Sequence, residues 1–91
     1  MMDPKDRRVL YLFTAPRCSA CKRMEPIARQ LCAELGIIFS AVNAQSSTGL
    51  TLRYAVRSVP TLVLVVNGAM LRATTRVMRT DDLREWLKGD S

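Results

Sequence analysis

Two cysteines, Cys18 and Cys21, lie where a strand pattern gives way to a helical one, and this junction restricts the fold more than any other feature of the chain. Residues 9–13 are a short apolar run of strand-forming residues that ends before Pro16. Beyond Cys21, large apolar residues recur every four positions, at Ile27, Leu31 and Leu35. The pattern therefore predicts a buried strand followed by a C-x-x-C pair at the start of a helix.

Three further strands are indicated in the rest of the chain. Apolar runs predict them at residues 37–42, 61–66 and 69–75. Asn67-Gly68 separates the last two runs and is a strong signal for a tight hairpin turn.

The helices have recognisable ends. Gly36 should end the first helix, and Pro26 should kink it. A weak pattern predicts a short helix at residues 50–55. A last helix is predicted from Thr80, which we interpret as its N-cap, with two carboxylates in the first turn where the helix dipole is positive. Its core-facing residues should be Leu83, Trp86 and Leu87.

The resulting order is β-α-β-α-β-β-α. It predicts an α/β fold with a four-stranded mixed sheet flanked by helices. A chain of 91 residues fits one domain, which we place at residues 9–88, after a flexible N-terminal lead at residues 1–8.

The chain is basic, with 14 Lys and Arg residues against 8 Asp and Glu and a net charge of +6. Such a charge attracts acidic partners or nucleic acid. The densest basic group, Arg17, Lys22 and Arg23, brackets the two cysteines. No apolar run is long enough to span a membrane. The charged N-terminus lacks the apolar segment of a signal peptide, so we expect a reducing, cytoplasmic setting, where C-x-x-C is redox-active or metal-binding.

Redox and metal chemistry are the two alternatives for the C-x-x-C pair. A helix N-terminus offers free N–H groups and positive potential, which together with Arg17 would stabilise a Cys18 thiolate. Cys21, one turn later, would resolve the mixed disulfide. A zinc or iron–sulfur site needs four ligands, whereas the chain has no His and Cys32 is its only other thiol. Redox chemistry is therefore favoured, and we expect no metal or other cofactor.

Several segments carry a resemblance to a known family. Residues 13–22, FTAPRCSACK, are similar to the active-site loop of thioredoxins, and Pro26 matches the proline that kinks their active-site helix. Residues 54–61, YAVRSVPT, resemble the segment that leads into the family's cis-proline. The chain thus resembles thioredoxins and short archaeal or phage-type thioredoxin/glutaredoxin-like proteins over residues 9–88.

The resemblance implies a thioredoxin-like fold and a thiol–disulfide oxidoreductase that reduces protein disulfides. It also implies a cis Val59–Pro60 peptide, with the backbone of Val59 pairing with substrate as an added strand. Without the cysteines, a trans Pro60 at the first residue of a strand would be the simpler interpretation.

The chain departs from the family pattern at several positions. Arg17 replaces an aromatic residue before the first cysteine, and Ser19-Ala20 replaces Gly-Pro between the cysteines. Leu12 aligns with the buried Asp that assists the resolving cysteine, which leaves Glu25 as the nearest carboxylate in sequence. Ala15 stands where glutaredoxins carry a glutathione-binding Lys.

The candidate substrate-binding residues are the two of the cis-proline peptide, which the resemblance implies, and three arginines that would lie around the cysteines if the fold holds. They are Arg17, Arg57, Val59, Pro60 and Arg76, the last aligned with a groove glycine. We expect disulfide-containing protein substrates of acidic character, and a thioredoxin-reductase-like protein or a low-molecular-weight thiol as reductant. We expect a monomer that binds neither membranes nor nucleic acid. The alternatives are a glutaredoxin-like enzyme, or a non-enzymatic docking module for an acidic partner or nucleic acid.

Overall fold

The computed structural model describes residues 7–89, and its seven elements follow the predicted order. The strands are β1 (Arg8–Thr14), β2 (Ile38–Asn43), β3 (Thr61–Val66) and β4 (Ala69–Thr74). The helices are α1 (Ser19–Leu35), α2 (Thr48–Arg53) and α3 (Thr80–Lys88). No helix within residues 7–89 is both long enough and apolar enough to cross a membrane.

The four strands form one mixed sheet in the order β2-β1-β3-β4. β1 runs parallel to β2, because α1 carries the chain back to the end of the sheet where β1 began. β1 runs antiparallel to β3. β3 and β4 form an antiparallel hairpin. Its turn residues, Asn67 and Gly68, both have positive φ angles, 51° and 87°, as a two-residue turn between twisted strands requires. The predicted four-stranded mixed sheet is confirmed.

The sheet has an apolar core on each face because side chains alternate along the central strands. Leu10 and Leu12 of β1 face the helices α1 and α3, and are fully buried. Phe13 faces the other side, where its cluster includes Val42 and Val63. Burying one such side chain stabilises a fold by roughly 1.5–3 kcal/mol. These clusters bury the end of β1, from which the C-x-x-C segment begins.

Helix α1 begins and ends where the sequence predicts. Cys18 occupies the N-cap position, and Gly36 ends the helix in the left-handed region with φ 70°. The N–H groups of Gly36 and Ile37 both donate to the carbonyl of Cys32, which closes the last turn of the helix. The Arg8 guanidinium donates to the Leu35 carbonyl at 2.7 Å and lies at the negative end of the helix dipole. Helix and sheet are therefore linked at the end opposite to the cysteines.

Two predictions about chain segments need correction. Thr80 is the first residue of α3 and not its N-cap, because the N–H of Leu83 already bonds to the carbonyl of Arg79. Residues 7 and 8 do not belong to a flexible lead. Arg8 pairs with Val66 in the sheet, and Arg7 exchanges backbone and side-chain hydrogen bonds with Asn67. The rest of the predicted lead, residues 1–6, lies outside the described residues.

Candidate active site

Cys18 lies between the end of β1 and the first turn of α1. Its N–H donates to the carbonyl of Ala15, and its own carbonyl accepts from the N–H of Lys22, the first bond of the helix. Its Sγ accepts a hydrogen bond of 3.1 Å from the backbone N–H of Cys21. A sulfur at this position accepts a hydrogen bond from an N–H group of the first helical turn that would otherwise remain unpaired. The same contact, together with the helix dipole, would stabilise a thiolate there.

Cys18 and Cys21 form a disulfide, with Cα atoms 5.2 Å apart. The two cysteines differ in exposure: Cys21 is only 2% exposed, whereas Cys18 is partly exposed. A substrate can therefore reach the sulfur of Cys18, while that of Cys21 lies behind it.

A shallow groove of about 450 Å³ lies beside Cys18. It is lined by Ala15, Pro16, Arg17, Cys18, Gln45 and Val59. The Val59–Pro60 peptide is cis, as the family resemblance implies. Although Val59 is more than 40 residues from Cys18 in sequence, the fold brings the two to one surface.

Gln45 is the groove residue that sequence reasoning missed. It follows β2, and the carboxyl ends of the parallel strands β1 and β2 meet at one edge of the sheet. Polar residues just after β2 were therefore candidates for the groove, and this topological signal could have identified Gln45.

The two remaining basic candidates lie apart from this groove. Arg57 is exposed and lines a neighbouring depression with Ser58 and Thr61, on the segment around the cis-proline. Arg76 lines a different depression, with Asp82 and Trp86 of α3. The structure thus does not bring Arg76 into the groove at Cys18.

Within residues 7–89, no carboxylate takes the place of the buried acid that the family resemblance calls for. Leu12 is fully buried in the apolar cluster between the sheet and the helices α1 and α3. The carboxylate of Glu25 accepts a hydrogen bond of 3.0 Å from Arg29 on the exposed surface of α1. Glu25 is therefore engaged in an ion pair on the solvent side of the helix.

Cys32 belongs to the core rather than to the site. It is 1% exposed and packs in the cluster on the α1 side of the sheet. Burial raises the pKa of its thiol from 9.0 to about 11, a shift that the positive charge of Arg8 partly offsets. Cys32 thus stays protonated and unreactive near neutral pH.

Known proteins share both this sequence pattern and this fold. The family model for thioredoxin matches residues 2–89. A thioredoxin from Corynebacterium nephridii is 30% identical over 83 residues, which cover 90% of this chain and 57% of that protein. A thioredoxin from Rickettsia bellii is 26% identical over 87 residues, covering 93% of this chain and 83% of the relative. The chain spans between 34% and 57% of the length of the first curated relatives it matches.

Solved structures agree with the sequence relatives. The structure of a mutant thioredoxin from Halobacterium salinarum superposes with a TM-score of 0.83 at 27% identity, covering 89% of this chain and 72% of that one. With a family match that extends over nearly its whole length, this chain is a member of the thioredoxin family.

Proposed function

We propose that the chain is a thiol–disulfide oxidoreductase that reduces protein disulfides through Cys18 and Cys21. The single observation that carries this proposal is the hydrogen bond from the Cys21 N–H to Cys18 Sγ at the start of α1. This contact stabilises negative charge on the more exposed of the two sulfurs. The family match supports the same chemistry.

The reaction begins from the reduced pair. The Cys18 thiolate attacks one sulfur of the substrate disulfide, so a Cys18–substrate bond forms and the substrate S–S bond breaks. The first substrate thiolate leaves and takes up a proton. Cys21 then loses its proton and attacks Cys18 Sγ, which forms the Cys18–Cys21 disulfide and releases the second substrate thiolate. Two electrons pass from the dithiol to the substrate.

We assign solvent water as the acceptor of the proton that Cys21 loses. Leu12 carries no acceptor group, and Glu25 is held by Arg29 at the surface. Water entering beside the mixed disulfide must therefore remove this proton.

The groove beside Cys18 accounts for substrate binding in this proposal. An extended substrate segment would pair with the backbone of Val59, next to the cis-proline Pro60, with Arg17 at the near side of the groove. We propose that no cofactor is needed beyond the two cysteines, that the protein acts as a cytoplasmic monomer, and that a reductase or a low-molecular-weight thiol returns the pair to the dithiol.

Reduction of insulin by dithiothreitol tests the proposal. Wild type should accelerate the reaction, and Cys18→Ser should abolish the acceleration. Cys32→Ala is the matched control, because it removes a buried thiol outside the site and should retain the activity. Equal acceleration by wild type and Cys18→Ser would refute the enzymatic proposal and favour the docking module. A glutaredoxin-like enzyme would instead depend on glutathione, which a parallel assay with glutathione as reductant detects.

A further inference from the structure

Charge is distributed unevenly over the described residues. Between residues 7 and 89 the carboxylates are confined to α1, from Glu25 onward, and to α3: Glu25, Glu34, Asp81, Asp82 and Glu85. These two helices pack on the same face of the sheet. Within residues 7–89, Glu25 is therefore the carboxylate nearest in sequence to the cysteines, and it lines a shallow depression with Lys22 and Arg29.

Four exposed basic residues lie next to the cysteines in sequence or on the cis-proline segment, and we call them the basic rim. They are Arg17, Lys22, Arg23 and Arg57. Arg17 lines the groove at Cys18, and Arg57 lines a neighbouring depression with Ser58 and Thr61. Lys22 and Arg23 follow Cys21 in the first turns of α1.

Like most basic side chains between residues 7 and 89, those of the basic rim form no ion pair, and Arg29 and Arg84 are the exceptions. Arg29 pairs with Glu25, and Arg84 pairs with both Glu34 and Asp81. None of the four rim residues forms an ion pair with a described carboxylate. An uncompensated cluster of like charges produces an attractive potential for anions at the point where a substrate must approach.

From this arrangement we infer that the protein selects disulfides flanked by acidic residues. The inference rests on the proposed reductase function and names its substrate class. Carboxylates beside the substrate cysteine would approach Arg17 in the groove and Arg57 in the neighbouring depression. Because these charges are exposed, they act mainly on the rate of encounter, and salt screens them.

A set of matched peptides tests the inference directly. Each peptide contains one disulfide, and the flanking positions carry Asp, Asn or Lys in otherwise identical sequences. At low salt, wild type should reduce the Asp peptide at least about tenfold more efficiently (kcat/KM) than the Asn peptide, and the Lys peptide least efficiently. The Asp-to-Asn ratio should fall toward one as the Debye length decreases from about 10 Å at 0.1 M to about 3 Å at 1 M salt.

Charge-reversal variants identify the residues responsible. Arg57→Glu and Lys22→Glu should each lower the Asp-to-Asn ratio severalfold, and the double variant should bring it below one. Arg79→Glu is the matched control, since it changes the net charge equally at the exposed start of α3 and should retain the wild-type ratio. Taking a ratio within each variant cancels any change in the reactivity of Cys18.

The outcomes separate this inference from the proposed function. Reduction of all three peptides at equal, salt-independent rates would overturn the acidic selectivity while the reductase function stands. Failure to reduce any peptide would refute the reductase function itself. An equal loss of the ratio in Arg79→Glu would show an effect of net charge alone and overturn the role of the rim. An Asp-to-Asn ratio near one, together with a salt-sensitive complex between the protein and a DNA duplex, would assign the rim to nucleic acid and overturn the inference.

Discussion

Burial of the Cys32 thiol makes folding sensitive to alkaline pH. In the unfolded chain this thiol has a pKa near 9.0, and in the folded protein burial raises the pKa to about 11. The folded state therefore holds the proton more tightly, so its stabilising contribution is complete below pH 9.0 and is lost as pH rises toward about 11. A difference of about two pKa units corresponds to roughly 2–3 kcal/mol of unfolding free energy.

Urea unfolding measured from about pH 8 to about pH 11 tests this prediction in a background with Cys18→Ser and Cys21→Ser, where Cys32 is the only thiol. The second protein carries Cys32→Ala in the same background. Other groups that titrate in this range contribute equally to both proteins, so the difference between their unfolding free energies isolates Cys32. Relative to the Cys32→Ala protein, the protein that retains Cys32 should lose roughly 2–3 kcal/mol of unfolding free energy between about pH 8 and about pH 11.

A difference that stays constant with pH would refute the reasoning. It would mean that the folded protein solvates the Cys32 thiolate as well as water does, contrary to its burial at 1% exposure. A pH-independent part of the difference between the two unfolding free energies reflects the small cavity that Cys32→Ala leaves, and it does not bear on the titration.

Two further substitutions test the stability of the fold that positions the site. Each has a matched control, and urea unfolding is the measurement. Gly36→Ala should cost about 1 kcal/mol, because the left-handed φ of 70° disfavours a Cβ although space is open around it. Gly49→Ala, within α2 and also in open space, should be neutral or stabilising by up to about 1 kcal/mol. Leu64→Ala should cost about 2–5 kcal/mol because the side chain is fully buried. Leu52→Ala, at 82% exposure, should change stability by less than about 0.5 kcal/mol; equal costs for the two leucine variants would contradict the core assignment.

The order of elements was predictable because local patterns determine it. The unbroken apolar run of β3 and the four-residue repeat of α1 are each typical of one structure. Asn67-Gly68 predicted its turn from the positive φ angles that these two residues tolerate. Placing the two cysteines at the start of α1 required only the junction between strand and helix patterns. The cis-proline Pro60, by contrast, came from the family resemblance, since nothing in the local sequence distinguishes it from a trans proline.

Features that depend on distant partners were not predictable from local patterns. Arg7 and Arg8 read as a polar lead, yet β3 and its turn offer them backbone partners. Gln45 joins the groove only because β1 and β2 end at the same edge of the sheet. Arg76 follows β4 and lines a depression with residues of α3, a position that the resemblance to the family did not predict.

Trapping of the mixed disulfide tests the roles of the two cysteines most directly. Reduced Cys21→Ser and Cys18→Ser are each incubated with a disulfide peptide, and the adducts are measured by mass spectrometry. Cys21→Ser should accumulate a stable adduct on Cys18, because the attacking thiolate is intact and the resolving thiol is missing. Cys18→Ser should form none, since Cys21 is buried. A stable adduct on Cys21 in Cys18→Ser, with none on Cys18 in Cys21→Ser, would contradict the assignment.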